Sequence, residues 1–309
     1  MQDKLQVIGD YQNGNYKVVM MSDGTKIRYN DSNEEFQPEF GESIDINITT
    51  KCSQGCPYCY LNCTEYGTHA DILEQKWINT IKPYTEIAIN GNDVNHPDLA
   101  FFLLKMKKQK VIVNMTVNQY QFIERFDYIN LLAQEDLIHG LGVSLINYDD
   151  ELGDYIQKYH KSENIVLHVI NGIFNEYELN KIKGKGFKLL VLGYKYKGRG
   201  TKYDKDFTVE MIINETFLHD YLATNVVNNQ DFETIAFDNL ALQQLNIKSM
   251  VSDDVWELRY LGEDGKFTFY IDAVNHRFAS SSSSDINYPI TDDVVNMFKK
   301  INLEHENTN

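Results

Sequence analysis

Cysteine is scarce in this sequence, and its four cysteines all fall between positions 52 and 63. A disulfide framework needs cysteines distributed through a small secreted chain, so this pattern excludes one and favours a reducing cytosol. Long apolar runs are also missing, and none approaches the length that spans a membrane. The start, Met1-Gln-Asp-Lys, lacks the basic and apolar segments of a signal peptide. We therefore expect a cytoplasmic protein with no membrane partner.

Positive charge is in short supply as well. The chain has 29 Lys and Arg against 45 Asp and Glu, a formal net charge of −16. Most of such a surface repels a phosphate backbone, so duplex nucleic acid is an unlikely partner. A dense basic stretch runs from Tyr194 to Lys202 and holds Lys195, Lys197, Arg199 and Lys202. These side chains could bind phosphates, but we favour a solvated loop.

The 309 residues, 42% of them apolar, are enough for one large domain with appendages or for two modest domains. From Ile44 onward, short β-rich runs alternate with amphipathic helical segments. We expect six strands, at Ile44–Ile48, Glu86–Asn90, Val111–Met115, Gly140–Leu145, Ile165–Ile170 and Phe187–Leu192. The helices expected between them are His69–Lys82, Pro97–Lys108, Gln119–Ala133, Asp149–His160 and Glu176–Lys183. This alternation predicts a parallel sheet with right-handed crossovers, but by itself it does not separate a doubly wound sheet from a barrel.

The segments on either side have different patterns. Residues 1–42 predict a small β element with a hairpin that turns at Asp23-Gly24. Beyond about residue 200 the strand–helix rhythm is expected to stop. The elements expected there are a helix within Glu233–Leu245, a hairpin of Lys266–Ile271 with His276–Ala279, and a closing helix over Thr291–Ile301. The serine run Ser280–Ser284 is interpreted as a surface loop, with a flexible lid as the alternative.

Three of the cysteines, Cys52, Cys56 and Cys59, form a C-x3-C-x2-C motif directly after the first of the six strands. Soft thiolates at this spacing select zinc, copper(I) or an iron–sulfur cluster. A closed zinc site takes four protein ligands, and an ordinary [4Fe–4S] cluster takes one cysteine per iron. Three ligands on such a cluster leave one iron open to a substrate or cofactor. We therefore interpret the loop as catalytic.

The motif, with aromatic Tyr58 just before the last cysteine, resembles the cluster loop of radical S-adenosylmethionine (radical SAM) enzymes. The resemblance implies that Cys52, Cys56 and Cys59 hold a [4Fe–4S] cluster whose open iron is chelated by SAM, with Tyr58 near the adenine. It also implies an α/β fold with a partial (β/α)6 TIM-like barrel. The expected domains are an N-terminal β-hairpin element at 1–42, the radical SAM core at 43–195 and a C-terminal α+β capping and substrate region at 196–309.

The same resemblance places further SAM contacts at the ends of later strands: Asn90, Gly91, Asn92, Ser144, Asn147, Gly172 and Gly193. Asn90–Asn92 occupy the position of the family's Gly-Gly-Glu-Pro segment but lack its glutamate, so a backbone carbonyl would take the SAM ammonium. Ser144 and Asn147 would face the ribose or carboxylate, and the backbone at Gly172 and Gly193 would lie against the adenine. Each of these residues has an ordinary structural interpretation as a turn or loop former. His168, inside an apolar strand, is interpreted as a core histidine.

The implied activity is reductive cleavage of SAM to a 5′-deoxyadenosyl radical that abstracts hydrogen from a substrate. It would need an external one-electron donor of the flavodoxin or ferredoxin kind and an oxygen-sensitive cluster. A peptide or protein side chain is our first expectation for the substrate, with a small molecule or nucleotide as the alternative. A different class of function, a zinc-binding interaction module, would use Cys63 as a fourth ligand. We interpret Cys63 instead as a thiol outside the cluster, and no residue is assigned as the quencher of a substrate radical.

Overall fold

The computed structural model describes residues 5–32, 34–90, 93–260 and 263–308. The fold is α/β and is built on a ten-stranded sheet in which eight neighbouring strands are parallel. A separate three-stranded antiparallel sheet is formed by the N-terminal segment. None of the helices within the described ranges is both long enough and apolar enough to cross a membrane.

The strands are numbered in chain order. The small sheet contains β1 (Val7–Asn13), β2 (Tyr16–Met21) and β3 (Lys26–Tyr29). The parallel strands of the large sheet are β4 (Ser43–Asn47), β5 (Glu86–Ile89), β6 (Ile112–Asn118), β7 (Gly140–Ser144), β8 (Ile165–Ile170), β9 (Lys188–Leu192), β10 (Thr234–Phe237) and β11 (Thr268–Asp272). Two antiparallel strands, β12 (Arg277–Ala279) and β13 (Tyr288–Pro289), complete one edge.

The α-helices follow the strands, and several begin at a side chain that caps their first turn, such as Asp149, which accepts from the Leu152 amide at 2.9 Å. They are α1 (Leu99–Lys108), α2 (Gln119–Glu124), α3 (Phe126–Gln134), α4 (Asp150–Lys158), α5 (Glu176–Ile182), α6 (Gly200–Asn225), α7 (Asn239–Gln244), α8 (Asp253–Arg259) and α9 (Val294–Thr308). Short 3-10 turns cover Lys76–Thr80, Asp93–Asn95, Ser162–Asn164 and Ile247–Met250.

The order of the central strands argues against a doubly wound sheet, one of the two topologies that alternation left open. Strands β4 to β10 lie side by side in chain order, and each is parallel to the next. A doubly wound sheet reverses its direction at a switch point, and this run of strands has no reversal. Because every right-handed crossover advances in the same direction, the connecting helices all lie on one face of the sheet. The six expected strands and their parallel arrangement are confirmed.

The two faces of the sheet differ in chemistry. Alternate apolar positions such as Ile44, Ile87 and Val113 are buried in one core with helix residues. The other face carries a different set, each side chain partly accessible: Asp45, Ala88, Asn114, Thr116, Ser144, His168 and Lys188. We call this second surface the inner face. A parallel strand covered by helices on both sides has a nearly continuous apolar sequence, whereas β4 and β6 alternate apolar with polar residues.

The sheet is strongly curved. Strands β10 and β11 are seven strand spacings apart in the sheet order, which would be about 34 Å in a flat sheet. Asn239 lies two residues beyond β10 and Asp264 lies four residues before β11, yet their side chains are hydrogen-bonded. Six residues of extended chain reach about 20 Å, so a flat sheet could not bring the two side chains together. The inner face is therefore concave.

Two expectations are wrong. The helix expected over His69–Lys82 is reduced to the 3-10 turn Lys76–Thr80, because the preceding chain pairs back along the cysteine loop through the Thr49–His69 bridge. The strand–helix rhythm does not stop near residue 200, because Thr234–Phe237 pairs with β9 as a further parallel strand. Thr, Ile and Phe have high strand propensity, but the local sequence also fits a helix. Its pairing with β9 determines that it forms a strand. The helix expected within Glu233–Leu245 is confirmed as α7.

Other expectations for the flanking segments are confirmed. The hairpin of β2 and β3 forms around Asp23-Gly24, with β1 as an additional strand that the sequence analysis missed. The hairpin of β11 and β12 is present, and the closing helix α9 is longer at its C-terminal end than expected. The helix expected over Gln119–Ala133 is divided into α2 and α3 at Arg125, whose backbone φ is −111°.

Candidate metal and cofactor site

The cysteine loop leaves β4 and returns along its own path before β5. The Thr49–His69 and Lys51–Thr64 bridges hold the two sides of the loop together, and the Cys52 amide donates to the Thr64 carbonyl at 2.7 Å. The loop thus runs out and back along itself. It occupies the place of the α-helix that an ordinary crossover would have between β4 and β5. It places the cysteines at the carboxyl end of β4, the end at which parallel α/β folds carry their active sites.

The four thiols lie in this loop, and none forms a disulfide. Cys52, Cys56 and Cys59 are half-buried, whereas Cys63 is buried. The Cys52 sulfur accepts a hydrogen bond from the Gln54 amide at 3.4 Å. The Cys56 sulfur accepts one from the Asn118 side chain at 3.7 Å, so the end of β6 also reaches the loop.

Burial raises the pKa of Cys52 and of Cys56, and the neighbouring Cys59 raises both further. The pKa of Cys59 is lowered to about 6, first by a hydrogen bond with the Cys63 side chain and then by backbone amides. These interactions show that the thiols share one electrostatic environment. A thiolate is the form that ligates metal, so Cys59 is the thiol of the motif best prepared to do so.

The donor set of this loop fits a thiolate-ligated metal or cluster. The three thiols fall within eight residues and influence one another electrostatically, and neighbouring donors stabilise their thiolate charge. Their side chains are not in a ligating arrangement. Within the part of the chain that the structure describes, no three His, Cys, Asp or Glu side chains converge closely enough to bind one metal ion.

Arg199, in the loop between β9 and α6, binds the cysteine loop through hydrogen bonds. Its Nε donates to the Cys56 carbonyl at 2.9 Å, and its guanidinium Nη1 donates to the Cys63 carbonyl at 2.9 Å. Its backbone amide donates to the Cys59 carbonyl at 3.0 Å. Arg199 also lowers the pKa of all three motif cysteines. The sequence analysis favoured a solvated loop for this basic stretch, which is wrong for Arg199 because its side chain is half-buried and hydrogen-bonded to the cysteine loop; phosphate binding stays a prediction.

The backbone beside Arg199 must approach the loop closely. Gly198 has φ +57°, and a Cβ there would lie 2.6 Å from the Tyr60 carbonyl oxygen. Only glycine accommodates both the left-handed backbone and this contact. The remaining basic residues of the stretch also have partners: Lys197 pairs with Asp285 at 3.0 Å, and the exposed Lys202 lies 3.7 Å from Asp206.

Tyr58 contributes to an aromatic group next to the cysteines. Its ring packs edge-on against Tyr203 at a centroid distance of 5.6 Å, and Tyr203 stacks on Phe207 at 4.5 Å. Burial raises the pKa of Tyr58 to about 12, so its phenol stays neutral. Tyr203 and Phe207 come from α6, which the sequence analysis did not connect to this site. A flat aromatic ligand such as adenine could pack here.

The polar residues expected at strand ends lie in different surroundings. Asn90 is half-buried directly after β5, and its Nδ2 has no hydrogen-bond partner among the described residues. Gly91 and Asn92 lie outside the described residues. Ser144 ends β7 on the inner face, beside Asn118 and His168 in register. These neighbouring strand ends bring Ser144 and Asn118 to the same side as the cysteine loop.

Asn147 is held by a neighbouring side chain. Gln119 donates to the Asn147 carbonyl at 2.6 Å and accepts from its amide at 3.1 Å, which fixes the loop after β7. The Asn147 side chain accepts from the Tyr120 hydroxyl at 3.4 Å.

The two expected glycine contacts have packing roles. Gly172 has φ +79°, and its carbonyl accepts from the Asn214 side chain at 3.0 Å, which ties it to α6. Gly193 donates its amide to Asp238 at 2.9 Å, and a Cβ there would lie 2.5 Å from the Leu240 side chain. The structure therefore accounts for both glycines without an adenine contact, and that contact stays a prediction.

The inner face below these strand ends contains residues that the sequence analysis did not assign. Asp45, Lys195 and Tyr270 come from β4, the loop after β9 and β11. The signal for Asp45 was present in Ile44-Asp-Ile-Asn-Ile48, where polar residues alternate with apolar ones in a strand expected to be parallel. His168 also lies on this face. Burial lowers the pKa of its ring to about 4, but the ring has no hydrogen-bond partner among the described residues, so the polar partner expected for a core histidine is missing.

Comparison of the chain with models of known protein families gives no match, and comparison with curated proteins gives none either.

Proposed function

We propose that this protein is a radical SAM enzyme. The observation that carries the proposal is the position of the C-x3-C-x2-C loop, at the carboxyl end of the first strand of a parallel sheet wound in one direction. The chemistry that a [4Fe–4S] cluster on Cys52, Cys56 and Cys59 supplies when bound is reductive cleavage of SAM, which yields the 5′-deoxyadenosyl radical that removes hydrogen from a substrate.

The proposed architecture is a partial barrel formed by β4 to β9. Three features support it: the strand order without reversal, the helices on a single face, and the curvature that the Asn239–Asp264 contact requires. In such a fold the inner face and the loops at the carboxyl ends of the strands form the active site. The polar, partly accessible inner face agrees with this arrangement.

The roles of the chain's own residues follow from their contacts. Arg199 holds the cysteine loop against the loop after β9 and places a fixed positive charge near the thiolates. Tyr58, Tyr203 and Phe207 offer an apolar wall for the adenine. The unpaired amide of Asn90 is available to a polar group of SAM at the end of β5. Together these residues would orient SAM and keep water from the reacting atoms.

The alternative, a structural zinc module, is favoured by one observation. Cys63 interacts with Cys59 through their side chains, so a fourth sulfur lies near the motif. A zinc site would recruit all four thiols and close the coordination shell. The radical SAM proposal instead assigns Cys63 to the surroundings of the cluster.

Anaerobic reconstitution with iron and sulfide, followed by dithionite reduction with SAM, tests the proposal. We expect a brown, oxygen-sensitive protein with about four iron atoms per chain that forms 5′-deoxyadenosine. Cys56→Ala should lose the iron and the activity, whereas Cys63→Ala should retain both. A colourless protein that holds zinc, loses it on Cys63→Ala and never cleaves SAM would overturn the proposal in favour of the zinc module.

A reducing partner and a substrate are also required. We propose that a flavodoxin- or ferredoxin-like protein in the cytoplasm delivers the electron, and that the substrate is a peptide or protein side chain, with a small molecule or nucleotide as the alternative. Replacing dithionite with reduced flavodoxin in the same assay tests the first point, because 5′-deoxyadenosine should still form.

A further inference from the structure

Two polar side chains stand next to each other on the inner face without partners. Tyr270 on β11 and Asp45 on β4 are direct neighbours in the parallel register. Adjacent strands lie about 4.8 Å apart, so both side chains project from the inner face into the same space. Tyr60, from the end of the cysteine loop, and Lys195, from the loop after β9, interact electrostatically with Asp45.

The Tyr270 hydroxyl is the first indication of a ligand. The residue is only 2% exposed, and its hydroxyl has no hydrogen-bond partner among the described residues. A buried polar group left unpaired costs about 1–3 kcal/mol, which a protein rarely tolerates without a function. The charges that act on this hydroxyl include Tyr60 and Asp45, so it lies close to both.

The Asp45 carboxylate is the second indication. Its side chain is exposed to water although it lies near Lys195, Tyr60 and Tyr270. Within the described ranges it accepts no hydrogen bond and forms no ion pair. The other three carboxylates that act on it already have donors: Asp238 accepts from the Gly193 and Ala241 amides, Asp264 accepts from Asn239, and Glu86 pairs with Lys26.

Among the described residues, Lys195 supplies the positive charge that acts most strongly on Asp45, and its ammonium already has other contacts. Its ammonium donates to the Ser282 hydroxyl at 2.8 Å and lies 4.3 Å from the centroid of the Tyr60 ring. Three carboxylates, Asp45, Asp238 and Asp264, act on this one ammonium. The pocket therefore has an excess of negative charge, and it suits a cation better than an anion.

We propose that Asp45, Tyr270 and Tyr60 bind a primary ammonium group of the substrate on the inner face. An ammonium has three N–H donors, and these three side chains offer a carboxylate and two hydroxyl oxygens as acceptors. Lys195, held by Ser282, limits the depth of the pocket and can donate to a carbonyl of the same ligand. The assignment of this ligand as the substrate rests on the radical SAM function proposed above.

The serine run Ser280–Ser284 contacts the lysines beside the proposed ammonium site. Ser282 and Ser284 are half-buried, and the Ser284 carbonyl accepts from Lys197 at 2.9 Å. The loop therefore closes over the lysines after β9, and this differs from the plain surface loop expected from the sequence. A ligand on Asp45 would lie beneath it.

The test uses the full chain without a cluster, kept under nitrogen, with L-lysinamide as the ligand and its doubly acetylated form as the uncharged control. We expect calorimetry to detect binding of L-lysinamide only, and we expect the melting temperature to rise with its concentration. Asp45→Asn should weaken the affinity about tenfold or more, and Tyr270→Phe should weaken it several-fold. Asp206→Asn removes a negative charge from the exposed side of α6 and should bind L-lysinamide like the parent.

Equal binding of the acetylated compound, no binding of L-lysinamide, or unchanged affinity in Asp45→Asn would each overturn this assignment. A parallel measurement of 5′-deoxyadenosine formation by the reconstituted protein separates the two proposals. If SAM is cleaved but L-lysinamide does not bind, the ammonium site is wrong and the radical SAM function stands. If L-lysinamide binds but SAM is never cleaved, the site is retained and the proposed function fails.

Discussion

The two ends of the parallel strands use polar residues in opposite ways. At the amino end, Glu42 is fully buried, and Arg28 meets both of its carboxylate oxygens, with contacts of 2.8 and 3.0 Å. Tyr16 also donates to Glu42, and Lys26 pairs with Glu86 at 2.7 Å. The small sheet of β1–β3 thus closes this end with buried ion pairs, and among the buried groups there the Tyr11 hydroxyl has no hydrogen-bond partner.

The carboxyl end and the inner face leave polar groups unpaired. The Asn90 amide, the Tyr270 hydroxyl and the Asp45 carboxylate have no hydrogen-bond partners within the described ranges. The buried carboxylates at the amino end are held in ion pairs, whereas Asp45 on the inner face is not, so the two regions separate stability from binding. Substitutions at the amino end should therefore affect folding, and those at the carboxyl end should affect ligands.

The largest expected effect is at the sealed end. Arg28→Met would leave the Glu42 carboxylate buried without its cation, which should lower the free energy of unfolding by about 3–5 kcal/mol. Urea denaturation followed by circular dichroism measures this change. Lys17→Met breaks the exposed pair with Asp10 and should leave stability close to that of the parent. Similar effects of the two substitutions would contradict the description of a buried, essential pair.

A second prediction concerns the centre of the inner face. Burial lowers the pKa of His168 to about 4, whereas the unfolded chain protonates this ring near pH 6.5. Between these values the unfolded state binds more protons, so His168 removes stability as the pH falls from 6.5 towards 4. The loss reaches at most about 3 kcal/mol.

Denaturation of the parent and of His168→Gln at several pH values isolates this contribution. The stability difference between the two proteins should shift in favour of the glutamine variant as the pH falls. Burial raises the pKa of Asp45 to about 6, which acts in the opposite direction but is common to both proteins. A pH-independent difference would mean that His168 does not stay neutral on this face.

A third prediction addresses the connection across the open end. Arg199→Met removes two side-chain hydrogen bonds to the cysteine loop, with an expected cost of about 1–3 kcal/mol. Losing these hydrogen bonds should favour local opening of the loop. Amide hydrogen exchange within residues 52–63 should therefore accelerate about tenfold in the metal-free protein. Exchange in β1–β3 should not change.

Two further variants control this experiment. Lys202→Met changes an exposed neighbour on α6 and should leave exchange in the loop unaltered. Arg199→Lys keeps the charge but cannot reach two carbonyls with a planar fork, so it should resemble the methionine variant. If the lysine variant matched the parent, the charge of Arg199 would matter more than its hydrogen bonds.

Local patterns were sufficient to predict part of this molecule. The six central strands follow from short β-rich runs, and the cysteine loop follows from spacing within eight residues. The strand order and the curvature of the sheet could not be predicted from the sequence, because they depend on pairings between distant segments. The same is true of Arg199, which meets Cys56 across 143 positions of sequence. A basic stretch looks the same in sequence whether its side chains are solvated or bound inside the fold.

The elements that the sequence analysis missed share a cause. β10 is only four residues long, and the apolar residues around it also fit a helix; its pairing with β9 decided the outcome. Residues 69–82 were assigned to a helix because Leu73, Trp77 and Ile81 match its period, yet Trp77 and Ile81 are buried although only the 3-10 turn Lys76–Thr80 forms there. Burial of the expected residues therefore does not establish the expected element.

The smallest expected effect is at the aromatic wall of the open end. Tyr203→Leu keeps apolar contact with Tyr58 but removes the edge-to-face ring pair, which is worth about 0.5–1.5 kcal/mol. If Tyr58 and Tyr203 support the adenine of SAM, the dissociation constant of SAM for the reconstituted protein should rise several-fold. Equilibrium dialysis measures it, with Tyr66→Leu, at a side chain 86% exposed in the same loop, as the matched control. Equal affinities for SAM in the two variants would remove Tyr203 from the cofactor site and limit its role to packing α6 against Tyr58.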